Sequence, residues 1–289
     1  FAEFTAIGRA MEFMTGMNAL IPILLVAVVT AGYTAYGGLP ASIRTDKWQA
    51  WFILWLFIVL ILAFIGDTKQ LINDAAAFTP EDLTGDEWHW EHGSIASFTM
   101  TSFLSGLALI IAITSAEMFS QGNWQRAYAS EDDEALNKGA LLAAGLVFPL
   151  MFIMGFLGSA SAGKGALDDP SLAFFALIKD FSPFILSFFI VFGIALVCSS
   201  ADTLQNAIVA SISRDISDNK LSLEQSRYVA LGLVPLAIFM AWYMADKAAS
   251  VFAIFLFADL LATATVLPIF LTLSNKINSG AALSGAVGG

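Results

Sequence analysis

Apolar stretches of about 20 residues recur seven times along this 289-residue chain, near 17–36, 48–66, 97–119, 139–161, 183–212, 228–246 and 249–273. A bilayer offers no water to the backbone N–H and C=O groups of such a run. Each run is therefore expected to satisfy its own backbone as a helix of spanning length. The rest of the composition agrees. Charged residues make up 13% of the chain and hydrophobic ones 58%, whereas a soluble domain carries about 25% charged residues. The chain reads as an all-α polytopic membrane protein, with residues 1–289 forming a single transmembrane domain in a lipid bilayer. Its ends, Phe1 and Gly288-Gly289, read as cuts through a longer sequence.

Charge sets the expected orientation. Alternate connections carry Arg44 and Lys47, Arg126 and Lys138, Arg214, Lys220 and Arg227, and Lys276, eight in all. The other side carries Arg9, Lys69, Lys164, Lys179 and Lys247. Positive residues favour the cytoplasmic face, so the arginine-bearing loops are placed inside. The acidic connection near 67–96 is then outside, in a plasma membrane or a bacterial inner membrane. The net charge of −11 and the lack of a basic patch argue against nucleic acid as a partner. Cys198 is the single cysteine, which leaves no intrachain disulfide.

Trp48, Trp51 and Trp55 share one face of the second run, with Trp48 suited to the membrane interface. Pro22, Pro149, Pro183, Pro235, Pro268, Gly155 and Gly158 are the helix-disturbing or small residues within the runs. Broken helices are usual in carriers, and ordinary membrane packing uses the same residues, so these positions alone decide nothing.

The run from 183 to 212 carries a polar island, Cys198-Ser199-Ser200-Ala201-Asp202-Thr203-Leu204-Gln205-Asn206. A carboxylate at membrane depth costs about 3 kcal/mol on insertion scales. At helical spacing Ser199, Asp202, Thr203 and Asn206 fall on one face. Oxygen ligands of this kind suit a hard cation such as Na+. Hydrogen bonding to a neighbouring helix is the plainer use of the hydroxyls.

Two more acids lie at membrane depth. Glu117 closes the third run and can line a solute cavity or meet water near the cytoplasmic interface. Asp259 lies mid-run and can bind solute, carry a proton or bond a neighbouring helix. His89 and His92 in the acidic connection are too few and too exposed for a convincing metal site. No histidine lies in the membrane, and nothing pairs a nucleophile with a base. The chain is not expected to be an enzyme, to hold an organic cofactor, or to bind a metal beyond Na+.

Four stretches resemble the solute:sodium symporter family. Tyr36-Gly37-Gly38-Leu39-Pro40-Ala41 with Thr45-Asp46-Lys47-Trp48-Gln49 is similar to the family signature between core helices 4 and 5. Asn123-Trp124-Gln125-Arg126-Ala127 looks like the loop after core helix 6. Ser199-Ser200-Ala201-Asp202-Thr203 with Arg214-Asp215-Ile216 resembles core helix 8. Asn278-Ser279-Gly280-Ala281 is similar to the start of the helix after the core. The four follow one another in family order, which makes Gly37, Gly38, Asp46, Gln49, Gln125 and Arg126 signature positions.

The resemblance implies a LeuT-like inverted-repeat bundle, incomplete at both ends and covering about core helices 4–10. It implies Na+ as coupling ion, held by Ser199, Ser200 and a backbone carbonyl near Leu196. Asp202 falls where some relatives place a second cation or a proton-linked group. The remaining ligands would come from core helix 1, so missing helices of the same protein are partners of this chain, and the 289 residues alone should not transport. Family topology also puts the arginine-bearing loops inside.

Sugar-carrying members have an aromatic-rich end to core helix 6. Here Thr114, Ser115, Ala116 and Glu117 stand there. Ser115, Glu117 and Asp259 are the solute-binding candidates, for a small polar solute such as urea, a polyamine, choline or an amino acid. The expected function is sodium-coupled symport by alternating access. The alternatives are a proton-coupled carrier using Asp202, a symporter-like sensor domain of a signalling protein, and a passive channel.

Overall fold

The structure, a computed structural model, describes residues 1–77, 100–164, 169–274 and 277–288. Among these the regular elements are helical, and no strand occurs. Helices α1 (Ala2–Thr15), α2 (Leu20–Phe64) and α3 (Thr68–Ala77) come first. They are followed by α4 (Met100–Phe119), α5 (Gln121–Tyr128), α6 (Asp133–Gly163) and α7 (Ala173–Ile178). The last four are α8 (Pro183–Ser211), α9 (Leu223–Asp246), α10 (Val251–Leu271) and α11 (Ser279–Gly288).

Helix ends follow local chemistry. Asp132 caps α6 by accepting from the Ala135 N–H at 2.7 Å. Ser182 caps α8 with Pro183 as its first residue, where the missing N–H costs nothing. Ser222 and Gln225 form a reciprocal capping box on α9. Gly16 ends α1 at φ 70°, a left-handed conformation that glycine takes without strain.

Helix α2 covers the first two apolar runs and is interrupted at Gly38, φ 56° and ψ −150°. Only a residue without Cβ reaches that region without strain. Pro40, two residues on, removes one further helical donor. The pronounced break thus sits in the Gly-Gly-Leu-Pro stretch. Pro149, Pro235 and Pro268 lie inside α6, α9 and α10, while Pro22 and Pro183 occupy helix starts. A second discontinuity bends α4 and α5 by 57°.

Five helical stretches are long and apolar enough to cross a bilayer, or six with the bent α4–α5 pair, among the described residues. Their apolar residues face outwards. Leu141, Phe148 and Phe152 of α6 are exposed, as are Trp48, Trp51 and Trp55 of α2, and α10 buries no residue. In water such a surface is untenable; in lipid it is the expected one. The fold is an all-α polytopic membrane protein.

The core gathers on α1. Its Phe4, Ile7, Met11 and Met14 pack against Ile23 and Val26 of α2, Phe189 and Val197 of α8, and Ala241 of α9. The start of the acidic connection is the helix α3, where Asp74 is buried and accepts from Gln70 at 2.7 Å. His89 and His92 lie outside the described residues.

Candidate cation and solute site

Helices α2 and α8 pack along each other, and the polar island of α8 faces the second half of α2. Asp202 is fully buried there. Tyr33 Oη donates to its Oδ2 at 2.6 Å and Ser42 Oγ to its Oδ1 at 2.7 Å. Thr45 and Thr203 hydroxyls lie 3.3 Å from Oδ2 and Oδ1. Each carboxylate oxygen therefore accepts from a close hydroxyl.

Arg126 enters from α5. Its Nη2 reaches Asp46 Oδ2 at 2.7 Å, Ser42 Oγ at 3.0 Å and Thr203 Oγ1 at 2.6 Å, and lies 4.0 Å from Asp202 Oδ1. Gly122, one turn earlier, lies against Thr203, where a Cβ would collide with the Thr203 methyl. Its bare backbone lets α5 approach closely enough for Arg126 to span both helices.

The donor count fixes the hydroxyl directions. Ser42 Oγ receives an Arg126 N–H, so its own proton is free for Asp202. Asp46 accepts from Arg126 Nε and Nη2, and its Oδ1 also accepts from Ser199 Oγ at 2.7 Å. With Asp46 and Asp202 both ionised, the one guanidinium leaves one negative charge uncompensated. A buried charge without a partner is costly, so this geometry suits a monovalent cation. The amide oxygens of Gln49 and Gln125 are buried without a hydrogen-bond donor among the described residues. Their amide nitrogens bond to carbonyls of α8, Gln49 to Ala195 at 3.1 Å and Gln125 to Asn206 at 3.3 Å.

The sequence-derived candidates are thus divided. Ser199 and Asp202 meet in one network with Asp46 and Arg126, and Gln49 and Gln125 border it. Ser200 turns the other way, towards the Glu3 carboxylate of α1. Leu196 is an exposed side chain. The α8 carbonyls engaged from the side near it are those of Ala195 and Cys198, the latter 3.1 Å from Tyr33 Oη. Gly37 sits beside Gly38 at the break in α2.

The solute candidates lie apart. Ser115 is buried and donates to the Ile111 carbonyl of its own helix. Glu117 is exposed and accepts from Asn123. Asp259 is half-buried with no side-chain partner among the described residues.

Sequence reasoning missed Tyr33, Ser42, Thr45 and Glu3 as parts of the polar interior. Thr30, Thr34, Ser42, Thr45, Asp46 and Gln49 recur at helical spacing along α2, but that spacing does not say which helix the stripe faces. Glu3 lies outside every apolar run and so carried no signal.

A helical bundle with a lipid-facing exterior and a buried, charged interior is the architecture of a polytopic carrier or channel. The model of the sodium:solute symporter family matches residues 1–289, and the chain belongs to that family. It is 29% identical over 278 residues to the spermidine transporter DUR31 of Candida albicans, an alignment covering 94% of this chain and 50% of that protein. The chain thus spans about half the length of that relative. Both comparisons point to transporters and not to enzymes.

Proposed function

We propose that the protein carrying this chain is a sodium-coupled secondary active symporter of a small polar solute, with polyamines the first class to test. The observation that carries the reading is the charge count at α2, α5 and α8: among the described residues, Asp46 and Asp202 against Arg126, with oxygen ligands around them. Na+ would engage Ser199, Asp202 and their neighbours, with Ser200 and the Leu196 carbonyl as further candidates, and favour one state of an alternating-access cycle. The arginine-bearing loops would face the cytoplasm, so the membrane potential drives the ion inwards. Each charge moved through 100 mV yields about 2.3 kcal/mol, equivalent to roughly fiftyfold accumulation. The likeness to a spermidine transporter supports a cationic solute.

A proton-coupled cycle is the second reading, favoured by the complete burial of Asp202, which would carry the proton. The test is uptake by the full-length protein in proteoliposomes, with spermidine, putrescine, urea, choline, proline and glucose. The symporter reading expects concentrative uptake on an imposed Na+ gradient that ends when K+ replaces Na+. Uptake driven by a pH gradient and indifferent to Na+ refutes it and moves coupling to Asp202.

A further inference from the structure

A cavity of about 940 Å³ opens between α1, α8, α9 and α10, on the opposite side of α8 from the Asp46–Arg126 network. Its size falls in the range of small-molecule sites. Leu204, Val234, Met240 and Ile254 represent its apolar wall, and Glu3 is the one charged side chain lining it among the described residues. Gln205 and Ser250 also line it. Ser250 caps α10 through the Ala253 N–H and Gln205 reaches Thr30, so both are partly committed elsewhere. Neither Glu117 nor Asp259 contributes to the wall.

We propose that this cavity is an alkylammonium site, in which the Glu3 carboxylate holds an ammonium group of the solute while the apolar wall receives its methylene chain. The assignment rests on reading the protein as a solute carrier and names the solute class and its anchor. A bare metal cation asks for several oxygen ligands, and this wall offers one carboxylate among aliphatic side chains. A polyhydroxylated solute would leave its hydroxyls without partners there. An amine joined to methylene groups satisfies both parts of the surface, because its charge meets Glu3 and its stem replaces water against Leu204, Val234, Met240 and Ile254.

The experiment is equilibrium binding of radiolabelled spermidine and putrescine to the purified full-length protein in nanodiscs, with uncharged 1,4-butanediol as competitor. Spermidine should bind and butanediol should not displace it. Glu3→Gln should weaken binding by about ten- to a hundredfold, the range for one lost hydrogen bond to a charged group. Ala253→Phe, which fills the cavity from α10, should weaken it as well and serves if Glu3→Gln does not fold. Glu134→Gln, on the exposed face of α6, should bind like the wild type. Absence of amine binding, or wild-type affinity in both Glu3→Gln and Ala253→Phe, overturns the assignment. So does a Glu3→Gln protein that keeps its amine affinity and loses only its Na+ dependence. Na+-driven uptake of a different solute would leave the symporter reading standing while this site assignment fails.

Discussion

Replacing Asp202 by Asn removes one charge and almost no volume, so its cost isolates the role of that charge. The Asn side chain keeps one acceptor oxygen and substitutes two N–H donors for the other. Ser42 has no second acceptor for its proton among the described residues, its oxygen already accepting from Arg126 Nη2 at 3.0 Å. Tyr33 has one, because the Cys198 carbonyl lies 3.1 Å from its hydroxyl. The amide is therefore expected to set its oxygen towards Ser42 and its nitrogen towards Tyr33. Two hydrogen bonds to a charged group, each worth about 1.5–3 kcal/mol, become neutral ones worth about 0.5–1.5 kcal/mol. Arg126 keeps Asp46 and is then balanced one to one. Relief of the uncompensated buried charge offsets this loss, so Asp202→Asn should cost at most about 1–3 kcal/mol of folding stability.

Asp202→Ala should cost more, because Ser42 loses its acceptor at about 1–3 kcal/mol, Tyr33 keeps only the Cys198 carbonyl, and the missing side chain leaves a void. The assay is reversible unfolding of the purified full-length protein, arranged as a double-mutant cycle with Tyr33→Phe. A Tyr33–Asp202 coupling of about 1 kcal/mol or more is expected for partners in direct contact. A coupling near zero, or an Asn variant as damaging as Ala, would refute the hydroxyl directions inferred here.

Three further predictions follow from the same geometry. Gly38→Ala should destabilise the protein by about 1–3 kcal/mol, the cost of forcing a Cβ into that backbone region, read as a lower unfolding midpoint; an unchanged midpoint would show that α2 relaxes its break. Arg126→Lys should lose most of the network while keeping the charge, because one ammonium cannot hold the planar Arg126 fork on Asp46 together with Ser42 and Thr203; full activity and stability in this variant would contradict the bridging role. Ser199→Ala should free Asp46 Oδ1 from its 2.7 Å partner and raise the Na+ concentration for half-maximal uptake, with a smaller effect on solute affinity at saturating Na+; an unaltered Na+ response would remove Ser199 from the ion site.

The membrane class was legible in the sequence because its signal is additive. Every apolar residue in a run of about 20 adds to the same conclusion, and no single one decides it. Asp202 and Ser199 were legible for the opposite reason, since a polar island in an apolar helix is conspicuous. Their partners were not. Ser42, Thr45 and Tyr33 are ordinary hydroxyl residues of a helix, and only the packing of α2 along α8 brings them to Asp202. Residues Asp46 and Arg126 stood out as signature positions, but the ion pair between them, 80 residues apart in sequence, depends on the bend after α4. Glu117 shows the limit from the other side. Its place at the end of an apolar run fits a solute cavity and a solvated interface equally, and the structure puts it on an exposed face beside Asn123.

The most direct measurement is equilibrium binding of radiolabelled Na+ to the purified full-length protein at constant ionic strength, for the wild type and Asp202→Asn. With one buried negative charge uncompensated, the wild type should bind Na+ saturably, K+ should compete poorly, and Asp202→Asn should lose at least tenfold in affinity while remaining folded. Wild-type protein that binds no Na+, or Na+ binding unchanged by Asp202→Asn, would contradict a cation site built on Asp202, Asp46 and Arg126.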